Sequence, residues 1–168
     1  MDTIIHLIYF MQHFIHFLFV IHLILLSFID IRYEKVPLYQ LIANSTLAII
    51  YSIMNYAFLQ ILEGLGFIIL LLLFLIILGK IVLRLIGKDV QTQIIGVADI
   101  WLAVNFGIII ATDSVYKTIL YSFAIAAIVG NYLKNKRTIN TNINNLKNSI
   151  PLIPFLTIGY FIYLLKHF

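Results

Sequence analysis

The 168-residue chain contains no cysteine. Disulfides, thiolate metal sites and cysteine nucleophiles are therefore excluded. Charge is scarce as well. Only 11% of residues are Asp, Glu, Lys or Arg, less than half the fraction usual in soluble domains. Apolar residues fill the space: 62% of the chain is hydrophobic, and mean hydropathy is +1.06. A soluble fold of this size could not hide that much apolar surface. The composition predicts an all-α integral membrane protein, because a helix satisfies its own backbone within the bilayer. A cleavable signal pattern is also lacking. The sequence opens MDT with no basic segment, its apolar run is too long, and no A-x-A site follows. The first apolar segment therefore reads as a retained helix. No internal repeat is evident, and the length suits a single domain over residues 1–168.

Six apolar spans can be drawn, giving a polytopic helical bundle. They cover about Ile4 to Ile29, the stretch after Pro37 to Phe58, Leu59 to Ile86, the short run Val97 to Ala111, Val115 to Leu133, and the stretch after Pro151 to Leu165. Basic residues sort by side. Arg32, Lys35, Lys80, Arg84, Lys88, Lys134, Lys136, Arg137 and Lys147 share one side, against Lys117 and Lys166 on the other. Nine against two makes the first side cytoplasmic and turns both termini outward. The Asn- and Lys-rich segment 131–149 reads as a polar cytoplasmic loop. The net charge of +4 thus reflects membrane orientation. It does not point to nucleic acid. Lys80, Arg84 and Lys88 recur at helical spacing and read as interfacial anchors. A lipid-headgroup stripe is the functional alternative.

Seven acidic residues remain to be placed. Asp2, Glu63 and Asp113 fall at or beyond outer helix ends, and Glu34 and Asp89 sit among basic loop residues. That leaves Asp30, closing the first span in LLSFIDIRYEKVP, and Asp99, opening the fourth in IIGVADIWL. Both fall at the cytoplasmic end of their spans, so helices one and four can bring them to one depth. An ionised side chain within a membrane costs on the order of 3 kcal/mol on insertion scales and marks a functional site by default. Two facing carboxylates can hold a single proton between them. The ionised member then activates a water, and the protonated member donates to the scissile carbonyl oxygen or the leaving amine. The plainer alternative is two interfacial aspartates capping or flanking helices, and Asp99 suits a helix N-cap. Helix dipoles make the pair unequal. Asp99 follows a helix start, which favours an anion, and Asp30 lies at a helix end, which does not. Asp30 is accordingly expected to be the protonated partner and Asp99 the base.

Three stretches resemble a known family. DIRYEKVP, residues 30–37, is similar to the first catalytic motif of the type IV prepilin peptidases. GVADIWLAVNFG, residues 96–107, is similar to their second, G-x-G-D followed by an apolar helix, with Leu102 and Gly107 at matching positions. IPLIPFLTIG, residues 150–159, resembles their late I-P-x-x-P-F-L-x-x-G stretch. The three occur in the family's order and span most of the chain. The resemblance implies a membrane aspartic endopeptidase with Asp30 and Asp99 as its catalytic dyad and Gly96, Ala98, Pro37, Pro151, Pro154 and Phe155 shaping the site. It implies no cofactor and no metal. The implied substrate is the leader of a prepilin-like precursor, cut at the cytoplasmic face of the cell membrane. The chain departs from the family in three ways. Ala98 replaces the second glycine of G-x-G-D, and its methyl group restricts positive φ and close backbone approach. Leu38 follows the proline where relatives carry Asn or Asp. The cysteine-bearing segment of many members is missing, so their methyltransferase activity and zinc are not implied.

Other readings stay open on the residues alone. Another G-x-G-D intramembrane protease is one, and a small transporter or assembly protein that uses the aspartates for a proton or cation is a second. His6, His13, His16 and His22 lie along the first span but do not share one face, so interhelical polar contacts fit better than haem ligation. Trp101 reads as packing or interfacial. Pro37, Pro151 and Pro154 stand at or near helix starts, where a missing N–H costs nothing. Residues 150–155 are alternatively a backbone-exposing segment for extended substrate.

Overall fold

The structure, a computed structural model, describes residues 2–33, 35–85, 95–111, 114–140 and 152–167. Among these, every regular element is a helix: α1 (Asp2–Tyr33), α2 (Leu38–Asn55), α3 (Phe58–Leu85), α4 (Val97–Ile110), α5 (Ser114–Asn140) and α6 (Ile153–His167). The all-α expectation is met, and the six spans correspond to six helices. Two of them, over Ile4–Tyr33 and Phe58–Val82, are long and apolar enough to cross a membrane; Val97–Ile110, Lys117–Val129 and Ile153–Leu165 are shorter apolar helices.

Helix boundaries follow local chemistry. α2 begins directly after Pro37, whose φ of −62° and ψ of 139° keep it extended, and a proline disfavours helix in the residue before it. α4 ends at Ala111, which adopts the left-handed region at φ 48° and returns its N–H to the Gly107 carbonyl at 3.2 Å. An alanine there carries strain that glycine would relieve. α5 departs from expectation. It continues to Asn140, so residues 131–140 are helical where the sequence suggested loop. NYLKNKRTIN contains neither Gly nor Pro; polarity ends an apolar span, but it does not end a helix. Residues 141–149 of that segment lie outside the described residues.

α4 occupies the centre, packed against α2, α3, α5 and α6, while α1 lies against α2 and α6. Its position explains why a helix this short buries Leu102, Ala103, Asn105, Phe106, Gly107, Ile109 and Ile110. Against α3 the approach is backbone to backbone: a Cβ on Gly64 would meet the Gly107 carbonyl oxygen and Ala111 Cα. Small residues permit such approach between apolar helices. Phe19, Phe106 and Tyr160 form an aromatic centre, with Phe106 and Tyr160 stacked at 5.1 Å and Phe19 edge-on to Tyr160 at 5.7 Å.

Apolar residues line the outside as well as the core. Phe10, Phe17 and Phe28 on α1 and Leu59, Leu70 and Phe74 on α3 are exposed, whereas Asn44, Ser52, Asn105, Ser122 and Thr157 are buried. Among the described residues, no buried side-chain nitrogen or oxygen lacks a hydrogen-bond partner. The few buried polar side chains are thus satisfied within a largely apolar core, and the outer faces of α1 and α3 are apolar as well.

Candidate active site at the ends of α1 and α4

Asp30 sits in the last turn of α1 and is 8% exposed. Its Oδ2 accepts the main-chain N–H of Ile153 at 3.2 Å. Ile153 is the first residue of α6, so this N–H has no partner inside its own helix. The carboxylate supplies one, and α6 turns its positive end toward Asp30.

Asp99 is held differently. Gly96 is the N-cap of α4, with φ −66° and ψ 148°, which makes Asp99 the third helical residue. Its carboxylate folds back to hydrogen-bond the Gly96 backbone, as the acidic member of a capping box does. The side chain is half-buried. The two carboxylates are near enough for the charge of Asp30 to act on Asp99, although α1 and α4 are joined chiefly through α2 and α6. The aspartates are thus neighbours in space that lie 69 positions apart in sequence.

Each carboxylate therefore faces a helix N-terminus, α6 for Asp30 and α4 for Asp99. The dipole argument drawn from the sequence knew only the end of α1. The α6 terminus removes its ground for treating the two as unequal.

The glycine motif also reads differently in three dimensions. A Cβ on Gly96 would lie 2.7 Å from Asp99 Oδ2, closer than atoms pack without movement. The first glycine leaves room for the carboxylate. Ala98 is half-buried and helical, packed against the core, and Ala111 is the positive-φ non-glycine residue among those described. The conformational restriction expected at Ala98 is therefore absent, because a helical φ suits alanine. Pro37 caps α2, its carbonyl accepting the N–H groups of Gln40 at 3.0 Å and Leu41 at 3.4 Å. Pro154 and Phe155 form the first turn of α6 with Ile153, and Phe155 is buried. Pro151 lies outside the described residues.

One feature of this region has no counterpart in the sequence motifs. Trp101 Nε1–H donates to Ser45 Oγ at 2.7 Å, and the Ser45 hydroxyl lies 2.9 Å from Asn105 Oδ1. Asn105 Nδ2 donates to Asn44 Oδ1 at 2.8 Å. Asn44 Nδ2 then reaches His22 Nδ1 at 3.4 Å, and His22 Nε2 meets Gln40 Oε1 at 2.6 Å. Since Oε1 only accepts, Nε2 carries the proton and Nδ1 is free to accept. The relay runs through α1, α2 and α4 with donors meeting acceptors in one direction. Trp101 and Asn105 fall within the 96–107 stretch and His22 among the histidines of the first span, while Gln40, Asn44 and Ser45 showed only as polar breaks in an apolar span. The interhelical role expected for the histidines holds for His22 and for His16, whose Nε2 lies 2.7 Å from the Tyr160 hydroxyl. Among the described residues, no three His, Asp or Glu side chains gather as metal ligands would.

A family model described as the type IV leader peptidase family matches residues 17–131. That range is more than half of the chain, and it takes in both aspartates, Gly96 and the relay. No curated protein and no solved structure matches the chain.

Proposed function

The chain belongs to the type IV leader peptidase family, and from that premise we propose that it is an aspartic endopeptidase whose catalytic pair is Asp30 and Asp99. Family membership supports peptidase activity and association with membranes. The observation that carries the finer reading is geometric: a buried Asp30 at the N-terminus of α6 and Asp99 in the first turn of α4, on helices that both pack against α6. Each carboxylate serves a helix N-terminus, Asp30 that of α6 and Asp99 that of α4. Capping alone does not require both acids to stand at one place, which a shared-proton pair does.

In this reading the pair shares one proton. The ionised carboxylate takes a proton from water as the water oxygen bonds to the scissile carbonyl carbon. The protonated carboxyl gives its proton to the carbonyl oxygen. The tetrahedral intermediate collapses when the C–N bond breaks and the leaving nitrogen takes a proton from the dyad. The gem-diol proton returns to the dyad, which ends with one proton as it began. The N-termini of α4 and α6 each offer a backbone N–H to one carboxylate. No metal or cofactor enters the scheme.

The substrate is the basic leader of a type IV prepilin-like precursor, its apolar helix lying in the bilayer. All six helices are embedded, with the apolar faces of α1 and α3 against lipid and the basic connections cytoplasmic. The dyad then opens at the cytoplasmic face of the cell membrane, where a leader can unwind locally and enter. Gly96, Ala98, Pro37, Pro151, Pro154 and Phe155 shape the approach.

The test is co-expression with a tagged prepilin, read as a mobility shift. Wild type is expected to process the precursor, while Asp30→Asn and Asp99→Asn leave it uncut at normal membrane abundance. Full processing by either variant would sink the dyad.

A further inference from the structure

The relay of Trp101, Ser45, Asn105, Asn44, His22 and Gln40 lies apart from the carboxylates. His22 is eight residues before Asp30 on α1, and Asn105 is six residues after Asp99 on α4. At a helical rise of about 1.5 Å per residue, these are displacements of about 12 and 9 Å along the axes. The two helices run in opposite directions at this point, so both displacements lead the same way, from the aspartates into the bundle. The relay thus crosses α1, α2 and α4 obliquely, from Trp101, two residues after Asp99, to Asn105 and His22 deeper in the bundle.

We propose that this relay is the register device of the site: His22, Asn44 and Asn105 are positioning residues that fix how far α1 stands along α4, and hence how the carboxylates of Asp30 and Asp99 meet. The inference rests on the dyad reading for its catalytic consequence, and not for its structural one.

Three observations carry it. First, α1 and α4 are joined chiefly through α2 and α6, so something on those helices must transmit their relative height. α6 contributes the Ile153 bond to Asp30; α2 contributes Asn44, Ser45 and Gln40. Second, the central members are sealed from solvent: Asn44 is 0% and Asn105 1% exposed. A buried amide that loses its partner has no water to turn to. Third, the relay runs from an indole N–H that can only donate to a side-chain carbonyl oxygen that can only accept, with the Ser45 hydroxyl proton shared between Asn105 Oδ1 at 2.9 Å and the Leu41 carbonyl at 3.0 Å. Sliding α1 by one residue moves its side chains by about 1.5 Å and turns them about 100°, and no bond of 2.6–2.9 Å survives that. Apolar contacts, such as Phe19 edge-on to Phe106 at 6.5 Å, also tie α1 to α4, but a slide leaves no unpaired buried polar atom among them.

The absence of cysteine makes the register measurable. Arg32 at the end of α1 and Val97 at the start of α4 are both exposed. Arg32→Cys and Val97→Cys can therefore carry one spin label each, and their separation is read in the full-length protein in lipid nanodiscs alongside steady-state cleavage of a prepilin substrate. Asn105→Leu is expected to shift or broaden that separation by about 1.5 Å or more, one residue's rise. It should lower kcat about 10²-fold while KM stays within about threefold, the signature of lost alignment without lost substrate binding. His22→Gln is the milder variant; it keeps a donor for Gln40 but offers no ring nitrogen to Asn44, and a smaller shift of the same kind is expected. Thr118→Val, a buried polar change on α5 outside the relay, is expected to leave the separation unchanged. The proposal is overturned if neither relay variant alters the separation, if Thr118→Val alters it equally, or if the separation shifts while kcat is preserved. Should wild type leave the prepilin uncut, the substrate reading fails, and the separation still decides whether the relay sets the register.

Discussion

Asp30 and Asp99 are chemically the same group held in two unlike ways. Asp99 is fixed within its own helix turn, by the backbone of Gly96 three residues earlier. Asp30 is fixed by a main-chain N–H 123 positions away, at the start of α6. One anchor is local and half-exposed; the other is tertiary and buried. A local anchor forms as soon as α4 does. A tertiary anchor exists only when α6 has docked against α1. The site is therefore complete only in the assembled bundle, and damage to its two halves should look different.

The largest effect is expected from removing either carboxylate's function. Asp30→Asn and Asp99→Asn should each lower cleavage about 10²- to 10⁴-fold, the range for a lost acid–base group. Alanine separates the halves. Asp30→Ala leaves the α6 N-terminus without its acceptor and should cost about 1 kcal/mol of stability, as the loss of a helix cap does. Asp99→Ala loses a half-exposed local contact and should cost only a few tenths, about 0.3–0.5 kcal/mol. Thermal or denaturant unfolding in detergent checks this order; equal losses would erase the distinction between the anchors.

Gly96→Ala comes next. Its methyl group would stand 2.7 Å from Asp99 Oδ2, and the carboxylate is the part free to move. A displacement of about 1 Å should lower kcat about 10²-fold. Alanine is the poorer N-cap and the displaced carboxylate loses its contact with the Gly96 backbone, so stability should fall only by about 0.5–1 kcal/mol. A larger fall in stability in place of activity would mean that the first glycine serves the backbone.

The tertiary anchor has its own test at Ile153. Proline is tolerated at the first helical position, so Ile153→Pro removes the N–H offered to Asp30 while keeping the helix start. Ile153 is fully buried, and Ile153→Ala is the control for its lost packing, at about 2–5 kcal/mol. Compared at equal folded fraction, the proline variant should cleave about tenfold more slowly than the alanine variant, the scale of one hydrogen bond to a charged group.

The same contrast explains what the sequence could reveal. Apolar runs and three prolines located the helices, because a span's composition and a missing N–H act on the residues that carry them. The start of α4 was legible within a few residues for the same reason, although the sequence suggested Asp99 as its N-cap and the structure gives that place to Gly96, with Asp99 third in the helix. The partner of Asp30 was not legible, because every residue except proline has a main-chain N–H and nothing in the side chain of Ile153 marks it. The relay was hidden in a related way. Asn44, Ser45 and Asn105 are visible as polar residues in apolar spans, but which of them meet depends on helix rotations that no single span contains. The extension of α5 to Asn140 was missed because hydropathy reports the edge of an apolar span and not the end of a helix.

The smallest effect is expected at Ala98, the departure that seemed most serious in the sequence. Family relatives place glycine there, and a methyl group matters if the position needs positive φ or a backbone neighbour. Neither condition holds in this chain. Ala98 is the second residue of α4 with helical φ, and the backbone approach that forbids a Cβ falls at Gly96, against the carboxylate itself. Ala98→Gly should therefore leave kcat and KM within about twofold. It should lower stability by up to about 1 kcal/mol, because glycine is the weaker helix former. A gain of tenfold or more would show that the methyl group does restrain Asp99. The local anchor would then depend on both positions of the motif, where the structure gives that part to Gly96 alone.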